Sequence, residues 1–217
     1  MPAPFYPTAK TQLVNDIIIA TEQVDQVEQV SAIGSLLIAQ HLPIHAERVR
    51  RGNSWWVLGA AAAPVAALPT TVAQNSLWNG EAAGGKILVI DSLILLVATS
   101  QTVAGGFGAV LMLNSPTVTA PTSAAITFRS LSGKTNYGGK AILAAGLTGL
   151  TNSGWMPWGS SFNEAGAVNL MTAIDIPVDG KIQVPPGGML NGSVIANAAT
   201  GTIQLGFRWH EIQMPLG

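Results

Sequence analysis

Two stretches of the chain show how its hydrophobic and polar positions are arranged. In residues 202–213 the apolar Ile203, Leu205, Phe207 and Trp209 alternate with Gln204, Gly206, Arg208 and His210. A period of two places one set on each face of an extended strand, so this segment predicts a half-buried β-strand. Residues 84–99 form the most apolar run, opened by Gly84 and Gly85 and interrupted by Asp91 and Ser92. The 14 residues from Lys86 are too few and too polar to span a bilayer. They predict a buried strand, or two strands broken at Asp91-Ser92.

The same grammar runs through the C-terminal two-thirds. Gly105-Gly106 marks a turn before a strand over 107–114, and 125–131 places Ile126 and Phe128 opposite Thr127 and Arg129. Residues 132–139 read as a loop, 140–150 are of ambiguous type, and Trp155-Met-Pro-Trp-Gly reads as a loop. Residues 166–176 look strand-like, Asp179-Gly180 is a hairpin signal, and Pro185-Pro-Gly-Gly a strong turn. Residues 189–196 and 202–213 are expected to pair with each other. About eight short strands with turn signals at roughly ten-residue intervals predict an all-β, jelly-roll-like antiparallel sandwich over 77–217.

The first part of the chain differs. Residues 1–9 carry three prolines and read as an extended arm. From Thr11 the spacing turns helical: Leu13, Ile17, Ala20, Val24 and Val27 form an a/d seam, after which Val30, Ile33 and Leu36 shift to steps of three. This predicts a helix over about 11–40, ended near Pro43. A short strand and an extended linker then complete an N-terminal arm covering 1–76.

Composition changes what this pattern means. Only 10% of the 217 residues are charged and mean hydropathy is +0.38, against roughly 25% charged in ordinary soluble proteins. A surface so poorly charged suggests burial against other subunits. The net charge of −1 disfavours a dedicated nucleic-acid binder. No cysteine is present, so disulfides, thiolate metal sites and cysteine nucleophiles are excluded. Met1-Pro-Ala-Pro has no basic region leading into an apolar core, so no signal peptide is expected.

The candidate motifs are each incomplete. Ser132-Gly-Lys-Thr imitates the end of a phosphate loop, but Phe128 stands where that loop requires glycine. His41 and His45, with Glu47 nearby, have helical metal-ligand spacing, but Pro43 lies between them. No metal or other cofactor is expected. His210-Glu211 cannot easily act as a base and its orienter, because adjacent strand residues face opposite ways, and no Gly-x-Ser-x-Gly elbow exists. The carboxylates Asp91, Glu164, Asp175, Asp179 and Glu211 are dispersed, without the close pair that a glycosidase holds. No catalytic residue is assigned.

Arg48, Arg50 and Arg51 followed by Trp55 and Trp56 suit either phosphate contact with base stacking or, more commonly, a subunit interface. With Leu13, Ile17, Val24 and Val27 they are the candidate interface residues. Trp155 and Trp158 are a candidate glycan-stacking loop, or a cap on the core. Asn191-Gly-Ser matches a glycosylation acceptor, for which no secretory context is seen.

Three stretches, Gly85-Lys-Ile-Leu-Val-Ile-Asp-Ser, Ile182-Gln-Val-Pro-Pro-Gly-Gly and Thr202-Ile-Gln-Leu-Gly-Phe-Arg-Trp-His-Glu, resemble a strand, a tight turn and a closing strand of viral jelly-roll domains. The likeness covers about 77–215 and is nearest to tailed-phage capsid decoration (cement) proteins and related fibre proteins. Tumour-necrosis-factor-like trimer modules share the same style. The resemblance implies a non-enzymatic virion protein, a homotrimer whose arm reaches across major capsid or other virion subunits, with no membrane partner. The alternative it leaves is a receptor- or carbohydrate-binding module of a fibre, tail or baseplate.

Overall fold

The computed structural model describes residues 46–69, 72–99, 105–114, 121, 128–133, 137–148, 154–164, 172–197 and 200–213. The chain divides into Met1–Glu47 and Arg48–Gly217. The helix expected over 11–40, the seam residues Leu13, Ile17, Val24 and Val27, and the pair His41 and His45 lie outside the described residues. Among the described residues no helix is long and apolar enough to cross a membrane.

A short helix α1 (Ala46–Arg50) closes with a glycine cap. Gly52 takes φ +73°, its N–H donates to Val49 O, and the Asn53 N–H donates to Arg48 O. These are the two bonds of a Schellman motif, which needs a left-handed residue at Gly52. The chain then enters ten strands: β1 (Ser54–Leu58), β2 (Val72–Asn79), β3 (Lys86–Thr99), β4 (Gly105–Asn114), β5 (Arg129–Ser130), β6 (Ala141–Thr148), β7 (Met156–Glu164), β8 (Thr172–Val184), β9 (Met189–Ala196) and β10 (Thr202–Gln213).

Two five-stranded sheets result, ordered β5-β1-β10-β3-β8 and β6-β2-β9-β4-β7, with every neighbouring pair antiparallel. Setting aside the flanking β5 and β6, successive strands alternate between the sheets except at β4 and β7, which pair within one sheet, and β1-β10-β3-β8 faces β2-β9-β4-β7. That is the jelly-roll winding. β5 and β6, inserted between the fourth and fifth strands of the roll, extend one sheet each along the same flank.

The sandwich takes in more of the chain than the expected 77–217. β1 pairs with β10 along its whole length, and residues 59–69 cross from one sheet to the other while bonded to both. Ala62 exchanges backbone hydrogen bonds with Ile203 of β10, and Val65 bonds to Val194 and Ala196 of β9. The segment read as an extended linker is therefore part of the domain. Three further expectations change. β9 and β10 lie in different sheets and do not pair. Trp155-Met-Pro-Trp-Gly is mostly strand β7, whose place at a sheet edge tolerates Pro157. Within 84–99, residues 86–99 give one continuous strand rather than two, with Asp91 as a bulge: Trp209 pairs with Ile90 and Arg208 with Ser92. The bulge switches the inward positions from Leu88 and Ile90 to Leu93, Leu95 and Val97, keeping an apolar side chain in the core on either side of the polar pair.

The core between the sheets is built from Trp55, Val57, Leu77, Leu111, Leu143, Leu190, Leu205, Phe207 and Trp209 with their neighbours. Two asparagines of β2 sit on its inward face and have a specific use. Asn75 Nδ2 donates to Leu205 O, while Asn79 Nδ2 donates to both Lys86 O and Val184 O. Each bonds a backbone carbonyl of the opposite sheet through its Nδ2, so these buried amide donors have partners, although Asn75 Oδ1 has none among the described residues.

Candidate functional site

The strand end formed by Trp209, His210 and Glu211 concentrates the polar chemistry. Alternation along β10 turns His210 outward and Glu211 inward, so the two adjacent residues take different partners. His210 Nδ1 lies 2.7 Å from Asp91 Oδ1, and both residues are buried. The bulge is what puts Asp91 there. Ser54 is the cross-strand partner of His210, which sets a serine, a histidine and an aspartate side by side. This order imitates a hydrolase relay without its working parts. Ser54 is 1% exposed and His210 1%, and Ser54 Oγ makes no hydrogen bond among the described residues. A nucleophile needs both the base in contact and a path for substrate. The arrangement is a buried polar brace between β10 and β3, with Ser54 of β1 beside it.

On the inward side Glu211 accepts a 2.5 Å hydrogen bond from the Tyr137 hydroxyl and pairs with Lys86 Nζ at 3.2 Å. The same hydroxyl accepts the Ala141 N–H at 3.1 Å. Tyr137 stacks on Phe128 at 4.8 Å and meets Trp55 edge-on at 4.8 Å, while Phe128 meets Trp209 edge-on at 5.6 Å. Burial, then the Glu211 charge and the hydrogen bond to it, hold the Tyr137 hydroxyl far above its ordinary pKa. A phenol held so firmly in its neutral form is the opposite of an activated nucleophile. Gly139 lies against Tyr137 and Glu211 so closely that a Cβ would collide with both. This cluster closes one end of the core.

The remaining sequence candidates fall in separate places. Trp55 is 5% exposed inside the core, so its ring packs within this chain instead of at a subunit interface, because β1 is a sandwich strand. Trp56 is half-buried and stands opposite Arg208 on the outer face. Arg208 reaches across β3 to Asp175. Arg48, Arg50 and Arg51 are exposed around the helix cap. Trp155 and Trp158 do not form one platform. Trp155 packs on Ala73 and Met112, whereas Trp158 packs on the core and donates from Nε1 to Pro177 O at 3.3 Å, bridging β7 to β8.

Trp158 also borders an open groove of about 480 Å³ on the β9-β4-β7 surface, with Gly106, Gly108 and Val110 beneath and Pro157 and Ile195 beside it. Ser132-Gly133 is a turn after β5, with no helix following it among the described residues. Asn191, Gly192 and Ser193 are all buried in β9, where Asn191 Nδ2 donates to Met112 O and Asn114 Oδ1, so this acceptor motif is closed to a glycosylating enzyme. No group of three or more His, Asp or Glu able to hold a metal occurs among the described residues.

Sequence reasoning missed the Asp91–His210 and Tyr137–Glu211 pairs. The one available signal was polar interruption of otherwise apolar strands, at Asp91 and at His210-Glu211. Comparison with known proteins adds nothing to this geometry: no family model, curated protein or solved structure matches the chain.

Proposed function

We propose that the protein is a non-enzymatic structural component of a virion, a decoration or cement protein that stabilises a particle by bridging shell subunits. The jelly-roll winding is the observation that carries this reading, since capsid-associated domains use that winding. The charge-poor composition supports it, because a lattice subunit hides much of its surface on neighbours. The chain also divides into units 1–47 and 48–217, and in this reading the first unit is the one that grips an adjacent subunit. In this reading the sandwich is a homotrimer seated on the shell, and repetition over many sites converts weak contacts into avidity. The test is to strip the protein from purified particles, add it back, and follow particle disruption by temperature. Restored resistance is expected, and no change on full reoccupation would overturn the reading.

A second reading rests on the groove beside Trp158, namely a glycan-binding module at a fibre or tail tip. Aromatic faces at such grooves stack on sugar rings, though here Trp155 is turned elsewhere. Glycan binding that disappears in Trp158→Ala would favour it over the cement reading.

A further inference from the structure

The net charge of −1 conceals an uneven distribution of cations. Every arginine of the chain, Arg48, Arg50, Arg51, Arg129 and Arg208, falls on α1 and its cap or on the β5-β1-β10 side of one sheet. The first three are exposed where the helix cap leads into β1. Alternation settles the direction of the other two. Trp55 and Val57 point into the core, so Trp56 between them stands on the outer face. Phe207 and Trp209 do the same for Arg208, and Phe128, packed on the core, turns the exposed Arg129 outward.

Register then sets these side chains in one row. Trp56 is the cross-strand partner of Arg129 on β5 and of Arg208 on β10. Adjacent strands lie about 5 Å apart, so an indole on the sheet surface has a cation on either side, the two about 10 Å apart at the backbone. Among the described residues no carboxylate pairs with Arg129. Arg208 meets Asp175 on β8, which lies beyond β3 on the side away from Trp56, and that pair is exposed enough to exchange partners. Asp91, another acid on this face, is buried against His210.

We infer that this face binds single-stranded nucleic acid, with a base stacked on Trp56 and the phosphates on either side of it met by Arg129 and Arg208. Charge complementarity selects an anionic partner, and cations spread from the helix cap to β10 suit a polyanion better than one small anion. The order cation, ring, cation across the sheet matches the order phosphate, base, phosphate along a strand. Stacking on an indole needs a base whose face is free, which a duplex withholds. Arginine serves both contacts, pairing with phosphate and lying against aromatic surfaces. The row is on the other sheet from the groove beside Trp158, and the inference is independent of the virion reading.

The test is fluorescence anisotropy of the full chain with a labelled oligothymidylate at several salt concentrations. Wild type is expected to bind, with affinity falling as salt rises. Trp56→Ala is expected to weaken binding about fivefold to a hundredfold at an unchanged salt slope, since it removes stacking and no charge. Arg129→Gln is expected to weaken binding and to lower the log–log salt slope by about 0.7, the share of one phosphate contact. Lys181→Gln, an exposed cation of β8 outside the row, is expected to bind like wild type. Circular dichroism establishes that each variant is folded, and because Arg129 is exposed its variant still decides if Trp56→Ala does not fold. No binding by wild type, wild-type affinity in folded Trp56→Ala or Arg129→Gln, an equal loss in Lys181→Gln, or a duplex bound as tightly as the single strand would each overturn the inference.

Discussion

Replacing Tyr137 with Phe removes a single oxygen atom from the end of the core. Its hydroxyl satisfies the Glu211 carboxylate at 2.5 Å and accepts the Ala141 N–H at 3.1 Å. Among the described residues Glu211 then keeps Lys86 alone, whose side chain is 41% exposed and so screened by water. A hydrogen bond to a charged group contributes about 1.5–3 kcal/mol, and an abandoned buried N–H adds about 1. The expected loss is about 3 kcal/mol, or about 6–12 °C in Tm for a domain of this size. Aromatic packing on Phe128 and Trp55 is retained, so the loss reports the hydroxyl.

The pH dependence gives a second, independent readout. Because the folded state holds the Tyr137 proton more tightly than the unfolded chain, this stabilisation is complete below the unfolded pKa of about 10. It is lost as pH rises above that value, with a slope of up to about 1.4 kcal/mol per pH unit. Urea unfolding of wild type and Tyr137→Phe at pH 8 to 11 measures both effects. A loss under about 0.5 kcal/mol at neutral pH, or an alkaline slope that survives in Tyr137→Phe, would refute the reasoning.

Other perturbations separate the remaining braces. Asn79→Ala, which removes bonds to Lys86 O and Val184 O, should cost about 2–4 kcal/mol, and Asn75→Ala, which removes one, about 1–2; chemical denaturation with the opposite ranking would contradict the roles given them. Gly59→Ala should destabilise by forcing its Cβ into the Asn75 side chain, and should be much better tolerated in an Asn75→Ala background. A double-mutant cycle with additive costs would disprove that contact. A chain beginning at Trp78 lacks β1 and most of β2 and should fail to fold, whereas one beginning at Ala46 should unfold cooperatively, as seen by circular dichroism. Equal folding of both would contradict the extent assigned to the sandwich.

The legible parts of this fold were those in which one strand declares its own faces. β10 announced itself through strict alternation, and the turn at Pro185-Pro-Gly-Gly through backbone chemistry. Which strands become neighbours is another matter. β9 and β10 are separated by a short link and looked like a hairpin, yet the winding sends them to opposite sheets, because alternation reveals a buried face and not a partner. β6 was ambiguous because Ala and Gly carry too little side chain to show a period. β7 looked like a loop because Pro157 and Gly159 are rare in central strands, and nothing in the sequence placed it at an edge. The polar clusters were illegible for the same topological reason: Asp91 and His210 are 119 residues apart, and Tyr137 and Glu211 are 74. His210 and Glu211 were correctly separated onto two faces, but their partners depend on the bulge at Asp91 and on the segment entering β6.

The proposed role in a virion is tested most directly by electron cryomicroscopy of particles purified from the source. The account predicts density for this ten-stranded sandwich at symmetry-related positions on the shell or its appendages, with the N-terminal segment contacting a neighbouring subunit. Complete, well-resolved particles with every density assigned to other chains would contradict it.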